Sequence, residues 1–132
     1  SLQDNENIIF TGHVNNIKNF YQIADIVILP SWREGLSRTL LEASAMKKAI
    51  ITTNVAGCRD VIKHNYNGLL VKVKDPKAIE KSIIFLLKNK KIAHEFGESA
   101  RKKVIKEFEV NKINNETLLI YQRLISRNKG PK

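Results

Sequence analysis

The sequence predicts an α/β fold in which parallel strands alternate with helices. Two apolar strand candidates, residues 26–29 and 49–53, flank a helix-forming segment at about 37–47. A third apolar run at 69–71 follows a turn, and the chain from residue 75 onward has helical periodicity. Because strand, loop, helix and strand in this order build parallel sheets, we expect a partial Rossmann-like sheet followed by C-terminal helices.

Length and composition favour one domain. The 132 residues are 42% hydrophobic, which is enough apolar material for a core, and no run approaches the roughly 18 apolar residues of a membrane span. The first residues are polar and show no signal-peptide pattern. Cys58 is the only cysteine, so no intrachain disulfide can form and we expect a cytoplasmic location.

The charge is strongly positive and unevenly distributed. The formal net charge is +10, and from Lys72 onward sixteen Lys and Arg face seven Asp and Glu. Such a surplus favours an anionic partner: a nucleic acid, an acidic membrane surface or a phosphorylated substrate. Lysine-rich faces that only contact solvent give the same pattern, so both interpretations stay open.

Two elements are predicted before the central unit. Ile8 to Thr11 forms a strand candidate that ends at Gly12. A helix is expected at 17–24, with Ile17, Phe20 and either Tyr21 or Ala24 on its buried face.

The last part of the chain predicts a short helix and three longer ones. A short helix is expected from Cys58 to about Lys63. Asp75 is a good N-cap, and Pro76 suits a first helical position. The three predicted buried stripes contain Ile79, Ile83, Leu86 and Leu87, then Ile92, Phe96, Ala100 and Val104, and then Ile113, Thr117, Ile120, Tyr121 and Leu124.

Glu42 is the unusual residue of the central helix. Its neighbours in the helix are small or apolar, and a carboxylate on a buried face needs a partner or a cleft. Arg38 lies one helical turn earlier on the same side, so an ion pair on a solvent face is an equally good explanation. The amino end of this helix points to the carboxyl edge of the sheet, where open α/β sheets bind ligands.

The loop before this helix suits an anion. Gly35 marks a turn where backbone N–H groups can approach a ligand, and the following amides open the helix with a partial positive charge. Ser37 either caps the helix or contacts the ligand with its hydroxyl. Trp32, in the same loop, either stacks on a base or sugar or packs against the protein.

The spacing of Pro30-Ser31, Glu34-Gly35 and Glu42-Ala43 resembles the Glu-x7-Glu signature of the retaining, nucleotide-sugar-dependent glycosyltransferases of the GT-B fold. The resemblance covers nearly the whole chain in order. Lys47 and Ala49 depart from it, because the family usually has Gly and Pro at these positions. The other matching segments are residues 10–14, 21–25, 57–62 and 67–71.

This resemblance implies that residues 1–132 are the C-terminal part of a donor-binding domain, without the N-terminal acceptor domain and the first strands. About four parallel strands follow from it, with Ile8 to Thr11 separated from its usual neighbours. The implied reaction is a retaining transfer of a hexosyl or N-acetylhexosaminyl group from a nucleotide-diphosphate sugar to a glycan or lipid-linked acceptor. Capsule, lipopolysaccharide or other bacterial glycan assembly is the implied context, and the chain alone is expected to be inactive.

The resemblance also assigns site residues. Glu34 is the expected catalytic residue, and Glu42 is expected to bind the ribose hydroxyls. No metal, cofactor or nucleic acid is expected, and contact with the inner face of the cell membrane is one expectation. A basic nucleic-acid or anionic-surface binding module and an inactive glycosyltransferase-like domain are the alternatives. The remaining expected substrate-binding residues are Gly35, Leu36, Ser37, Arg38 and Thr39.

Overall fold

The computed structural model describes residues 4–32, 35 and 37–111, with backbone alone for 108–111. Helices and strands alternate through the first two thirds of this range, and two long helices follow. The elements are α1 (Ile17–Ile23), β1 (Ile26–Leu29), α2 (Arg38–Ala45), β2 (Ala49–Thr53), α3 (Ala56–Arg59), β3 (Leu69–Val71), α4 (Pro76–Lys88) and α5 (Lys90–Asn111).

The sheet of the described residues has three parallel strands in the order β1-β2-β3. Ile26 is opposite Ala49, and Ile51 is opposite Leu69. The α/β class and the parallel arrangement are therefore as expected, and β2 is the central strand with all five residues buried.

The fourth expected strand is not present. Residues 8–11 have no strand structure, and Ile9 and Phe10 are 83% and 62% exposed. The prediction of a strand here was wrong because an apolar run becomes a strand only when its N–H and C=O groups pair with a neighbour. Residues 8–11 pair with none of the three strands that the structure describes.

The core has one cluster on each face of the sheet. Successive side chains of β2 point to opposite faces, so Ile50 enters the cluster beneath α2 and Ile51 enters the cluster beneath α4. Leu40 and Met46 of the α2 region join Ile50, and Leu86 joins Ile51. Helices on both faces of a parallel sheet give the layered α/β arrangement that the sequence predicts.

Helices α4 and α5 confirm most of the predicted stripes. The Asp75 carboxylate accepts a hydrogen bond from Ala78 N at 3.0 Å and caps α4. Ile79, Ile83 and Leu86 face the sheet, whereas Leu87 is 50% exposed, because it lies 100° further round the helix than Leu86. Among the α5 side chains that the structure describes, the buried apolar ones are Phe96, Ala100 and Val104.

Two other helix predictions have different outcomes. The short helix expected from Cys58 to about Lys63 begins two residues earlier and ends sooner, as α3 at Ala56–Arg59. The third predicted stripe, from Ile113 to Leu124, lies outside the described residues.

The turn from α2 into β2 has a left-handed residue at Lys47, where φ is +61°. Lys47 N donates to Ser44 O at 3.1 Å, and Lys48 N donates to Ala43 O at 3.0 Å. This is the hydrogen-bond pattern in which glycine is the preferred residue at the left-handed position. The helix thus stops where expected, although a lysine occupies the glycine position.

Helix α5 crosses this turn at Gly97. A β-carbon built on Gly97 would lie 2.1 Å from the Lys47 carbonyl oxygen and 2.8 Å from its carbon. Both atoms belong to the backbone of a hydrogen-bonded turn, so neither can rotate away. Only glycine lets α5 approach β2 and α2 this closely.

The variant Gly97→Ala should therefore lower the free energy of unfolding by about 2–3 kcal/mol, since the added methyl group forces α5 away from the turn. At an exposed helix position, a Gly→Ala substitution would instead raise the free energy of unfolding by about 1 kcal/mol, because Ala is the better helix former. Urea denaturation followed by circular dichroism measures the difference.

Lys102→Ala, at an exposed position of α5, is the matched control and should change the free energy of unfolding by less than about 0.5 kcal/mol. A Gly97→Ala variant as stable as this control would contradict the close approach at Lys47.

Candidate functional site

The carboxyl ends of β1 and β2 are tied together by two threonine hydroxyls. Thr52 Oγ1 donates to Leu29 O at 2.8 Å, and Thr53 Oγ1 donates to Ser31 O. Both threonines are buried at the end of the central strand. Side-chain hydrogen bonds from β2 therefore fix the backbone at the start of the loop that follows β1.

Ser37 caps α2 at this edge. Its side chain is 3% exposed, and its Oγ accepts a hydrogen bond from Leu40 N at 3.2 Å. Capping satisfies one of the free N–H groups of the first turn and starts the helix at Arg38. Of the two roles considered for Ser37, capping is thus present in the structure, and contact with a ligand stays a prediction.

Glu42 is half-buried on α2 rather than turned into bulk water. Burial raises the pKa of its carboxyl group, and this effect outweighs the Tyr21 hydroxyl and the nearby Arg38 charge, which both lower it. Electrostatic attraction between Arg38 and Glu42 is therefore present, as the ion-pair explanation expected. Because the pKa of Glu42 is raised overall, the charged form of Glu42 destabilises the folded state. A contribution to stability is therefore a poor explanation for a carboxylate at this position.

Tyr21 of α1 is the partner that the sequence analysis did not identify. It is 6% exposed, and its hydroxyl forms side-chain hydrogen bonds with Glu42 and Thr39. Burial, the Glu42 charge and the bond to Glu42 raise the pKa of Tyr21, so its hydroxyl keeps the proton and donates a hydrogen bond to the carboxylate. The available signal was chemical: a buried tyrosine hydroxyl and a buried carboxylate both need a partner.

The other predicted site residues have varied surroundings. Gly35 and Arg38 are exposed, and Thr39 is partly buried. A β-carbon on Gly35 would meet no atom of the neighbouring protein within 4 Å, so internal packing does not demand glycine there. Glu34 and Leu36 lie outside the described residues, and their roles stay predictions.

Trp32 lies at the same edge with a cation over its ring. Its side chain is 65% exposed, and Lys74 Nζ lies 4.2 Å from the ring centroid. Lys74 belongs to the loop between β3 and α4, so the contact joins the loops that follow the two outer strands of the sheet. Of the two roles considered for Trp32, this is a packing contact, although most of the ring is accessible.

These groups can make two kinds of contact with a ligand. A carboxylate oriented by a tyrosine can accept hydrogen bonds from paired hydroxyl groups, and the first turn of α2 offers N–H donors to an anion. None of the helices that the structure describes combines the length and apolarity that a bilayer crossing requires.

Comparison with known proteins identifies the family of the chain. A family model described as glycosyl transferases group 1 matches residues 1–103. The capsular polysaccharide biosynthesis glycosyltransferase CapM of Staphylococcus aureus is 30% identical over 129 residues, which are 98% of this chain and 34% of that protein. The N,N'-diacetylbacillosaminyl-diphospho-undecaprenol alpha-1,3-N-acetylgalactosaminyltransferase of Campylobacter jejuni is 32% identical over 116 residues, which are 88% of this chain and 31% of that protein.

The fold has counterparts among solved structures. The crystal structure of the C-terminal domain of a glycosyl transferase group 1 family protein, LpcC, from Francisella tularensis superposes with a TM-score of 0.68 at 28% identity. The match covers 78% of this chain and 53% of that chain. This chain spans about a third of the length of CapM and of the Campylobacter enzyme. From the family model, the relatives and the α/β fold, the chain belongs to the group 1 glycosyltransferases of the GT-B type.

Proposed function

We propose that this chain supplies part of the donor site of an enzyme that transfers a hexosyl or N-acetylhexosaminyl group from a nucleotide-diphosphate sugar, with retention at the anomeric carbon. Residues 1–132 then form the C-terminal part of the donor-binding domain, and the complete enzyme is needed for transfer. The relatives, about three times as long as the matched region, support this division.

The half-buried Glu42 carboxylate on α2, hydrogen-bonded to Tyr21 of α1, is the observation that carries the proposal. Burial raises the pKa of this carboxyl group, so its charged form lies in surroundings that disfavour it. Groups whose pKa values are shifted by burial and a specific partner are concentrated at functional sites. We assign Glu42 to the ribose hydroxyls, because a carboxylate oxygen pair accepts two hydroxyl donors well.

The diphosphate is assigned to the amino end of α2. The amides of Gly35, Leu36 and Ser37 precede or open this helix, where the helix dipole and unpaired N–H groups favour negative charge. Arg38 and Thr39, in the first turn, line the same region. Stabilising the leaving diphosphate in this way lowers the barrier to transfer. None of the assigned residues is proposed as a metal ligand.

Glu34 is the proposed catalytic residue. In sequence it immediately precedes Gly35 in the same loop, eight positions before Glu42. A carboxylate there would orient the donor sugar and stabilise the positive charge that develops on it during transfer.

The acceptor is proposed to be a glycan or a lipid-linked glycan of a bacterial surface polysaccharide. The Staphylococcus relative is named for capsular polysaccharide biosynthesis, and the Campylobacter relative is named for an undecaprenol-linked acceptor. Peripheral contact with the cytoplasmic face of the membrane follows from such an acceptor, and the basic surplus of the chain suits an anionic lipid surface.

Titration of the complete enzyme with a panel of nucleotide sugars, followed by transfer assays, tests the proposal. We expect saturable binding of one nucleotide class. Binding only to nucleic acid, with an affinity that falls steeply with salt, would identify a basic binding module instead. Donor binding without transfer to any acceptor would identify an inactive domain.

In the complete enzyme, Glu42→Ala should weaken nucleotide binding by roughly tenfold or more, since charged hydrogen bonds to two ribose hydroxyls are lost. Isothermal titration with the nucleoside diphosphate measures the change. Glu80→Ala, which removes an exposed carboxylate from α4, is the matched control and should bind as the wild type does. Unchanged affinity in Glu42→Ala would remove the ribose assignment.

The conservative variant Glu42→Gln gives a stability signature at the same position. Because the folded-state pKa of Glu42 is raised, its charged form destabilises the fold above that pKa, and this effect disappears below the unfolded-state pKa. Denaturant midpoints should therefore be higher in Glu42→Gln than in wild type at roughly pH 7 and converge near pH 4. The opposite result would be a Glu42→Gln variant that is less stable than wild type at neutral pH and equally stable at acidic pH. It would show that Glu42 is a structural ion-pair residue.

Glu34→Gln should lower kcat by roughly a hundredfold and change donor affinity much less, because the lost charge acts mainly on the transition state. Steady-state transfer kinetics and donor titration separate the two effects. Glu80→Gln controls for loss of a remote carboxylate. If kcat were unchanged in Glu34→Gln, the catalytic assignment would have to move to another residue.

A further inference from the structure

The outward side of α4 combines exposed lysines with large apolar side chains. Three lysines and Ile84 recur along it at intervals of four, three and four residues, on the side of the helix opposite the buried Leu86. Ile84 is 43% exposed, and Phe85 and Leu87, on either side of this stripe, are 40% and 50% exposed. We call the following residues the α4 surface: Lys77, Lys81, Ile84, Phe85, Leu87 and Lys88.

The apolar members of the α4 surface do not belong to the core. Helix α4 packs against β2, β3 and α5 through its other side, where Ile79, Ile83 and Leu86 join the core cluster. Single exposed apolar side chains are common in folded proteins, but three of them within residues 84–87 form a continuous patch. Such a patch, surrounded by charged residues, is typical of a surface that binds another body.

The charges of the α4 surface are available to a partner. Its three lysines form no ion pair with any residue that the structure describes. Glu80 is the one acidic residue of α4, so the helix carries three positive charges against one negative charge. This surplus makes the surface complementary to an anionic partner.

A cavity adds positive charge at the end of the α4 surface. Leu87 lines this cavity of about 350 Å³, which lies at the amino ends of β1 and β2. Lys47 is paired there with Glu98 at 3.5 Å, whereas Lys90 has no ion pair among the described residues. A body that contacts this end of α4 leaves the opposite, carboxyl edge of the sheet accessible to a donor. The charged residues that line the cavity are Lys47, Lys48, Lys90, His94 and Asp25.

We propose that the α4 surface docks on an anionic lipid bilayer. Ile84, Phe85 and Leu87 enter the boundary between headgroups and acyl chains, and the lysines contact the lipid phosphates. The lysine stems are long and apolar, so their ammonium groups can stay among the headgroups while the apolar neighbours lie deeper. The biological setting rests on the proposed function, because a lipid-linked acceptor lies in a membrane, and the inference adds which face of the chain makes the contact.

The composition of α4 favours lipid over nucleic acid. Surfaces that bind nucleic acid combine basic residues with aromatic side chains on which bases stack, and arginine is the preferred cation. Helix α4 has no arginine, and Phe85 is its only aromatic residue. On a nucleic acid, Ile84 and Leu87 would meet hydrated phosphates, whereas on a bilayer they lose contact with water.

Co-sedimentation of the complete enzyme with lipid vesicles tests the inference, in the absence of donor and acceptor. We expect binding to vesicles of phosphatidylglycerol and phosphatidylcholine in equal amounts, and no binding to vesicles of phosphatidylcholine alone. The binding should weaken as the salt concentration rises, because ions screen the lysines from the lipid phosphates.

Variants of the α4 surface identify the face that binds. Each lysine near an anionic surface contributes about fivefold to the partition coefficient, so replacing Lys77, Lys81 and Lys88 together by Gln should lower it at least tenfold. Replacing the same three by Arg keeps the charge and should retain binding. The double variant Ile84→Ser/Phe85→Ser keeps every charge and should lower the coefficient by about tenfold, since less apolar area enters the bilayer.

The matched control removes three exposed lysines from the other face of the sheet. Lys63 follows Ile62, and Lys102 and Lys106 flank Val104; Ile62 and Val104 belong to the core cluster beneath α2. Replacing these three lysines by Gln should lower the partition coefficient by about twofold or less, although the net charge falls equally. All variants should keep the wild-type Tm and donor affinity, which shows that they fold.

Three results would overturn the inference. One is equal binding to anionic and neutral vesicles, and another is anionic-vesicle binding that the α4 variants and the control reduce alike. The third is an enzyme that binds duplex DNA through the α4 lysines and binds no vesicles, which would identify a nucleic-acid surface.

Transfer assays with a water-soluble acceptor separate this inference from the proposed function. An enzyme that transfers sugar normally and binds no anionic vesicles would overturn the docking surface and leave the proposed function intact. An enzyme that binds vesicles through α4 and binds no nucleotide sugar would overturn the proposed function and leave the docking surface.

Discussion

The central strand β2 is the constraint on which the rest of the structure depends. All five of its residues are buried, and it pairs with β1 on one side and β3 on the other. Ile50 belongs to the core cluster on one face and Ile51 to the cluster on the other, so the helices on both faces pack against one short strand. Its last two residues then change role: the hydroxyls of Thr52 and Thr53 hold the backbone at the end of β1. The strand that organises the core therefore also fixes the base of the candidate donor loop.

The candidate site lowers the stability of the fold, because it includes a partly buried carboxylate. Burial makes the ionised Glu42 unfavourable, and the Tyr21 hydroxyl offsets the effect only partly, because the net pKa shift is upward. Tyr21 lies on α1, outside the Glu-x7-Glu segment, so the carboxylate is oriented by an element that the motif does not include. In the proposed ribose role, the hydroxyl groups of the nucleotide would add hydrogen bonds to this carboxylate on binding.

Local sequence patterns predicted most of the fold. The features that could not be predicted depend on contacts between residues that are far apart in the sequence. The apolar runs at β1, β2 and β3 and the stripes of α4 and α5 could be predicted because periodicity and caps are local. Ile8 to Thr11 has the same local pattern, but a strand needs a neighbour that no local pattern shows. Likewise Glu42 was identified by its apolar surroundings, whereas its partner Tyr21 is 21 positions away. Lys74 and Trp32 are 42 positions apart, and neither residue type signals the other.

The basic surplus has a structural use that the sequence did not reveal. Three basic side chains donate to carbonyl oxygens at or near the ends of the three short helices, where the last carbonyls lack intrahelical partners. Arg101 Nη1 donates to Ala45 O at the end of α2 (2.6 Å), Lys48 Nζ to Ala24 O beyond α1 (3.1 Å), and Lys103 Nζ to Asp60 O beyond α3 (3.1 Å). Arg101 and Lys103 both lie on α5, so this helix stabilises α2 and α3 electrostatically as well as by apolar packing. Part of the positive charge is therefore accounted for within the fold, and the net charge alone is weak support for a nucleic-acid partner.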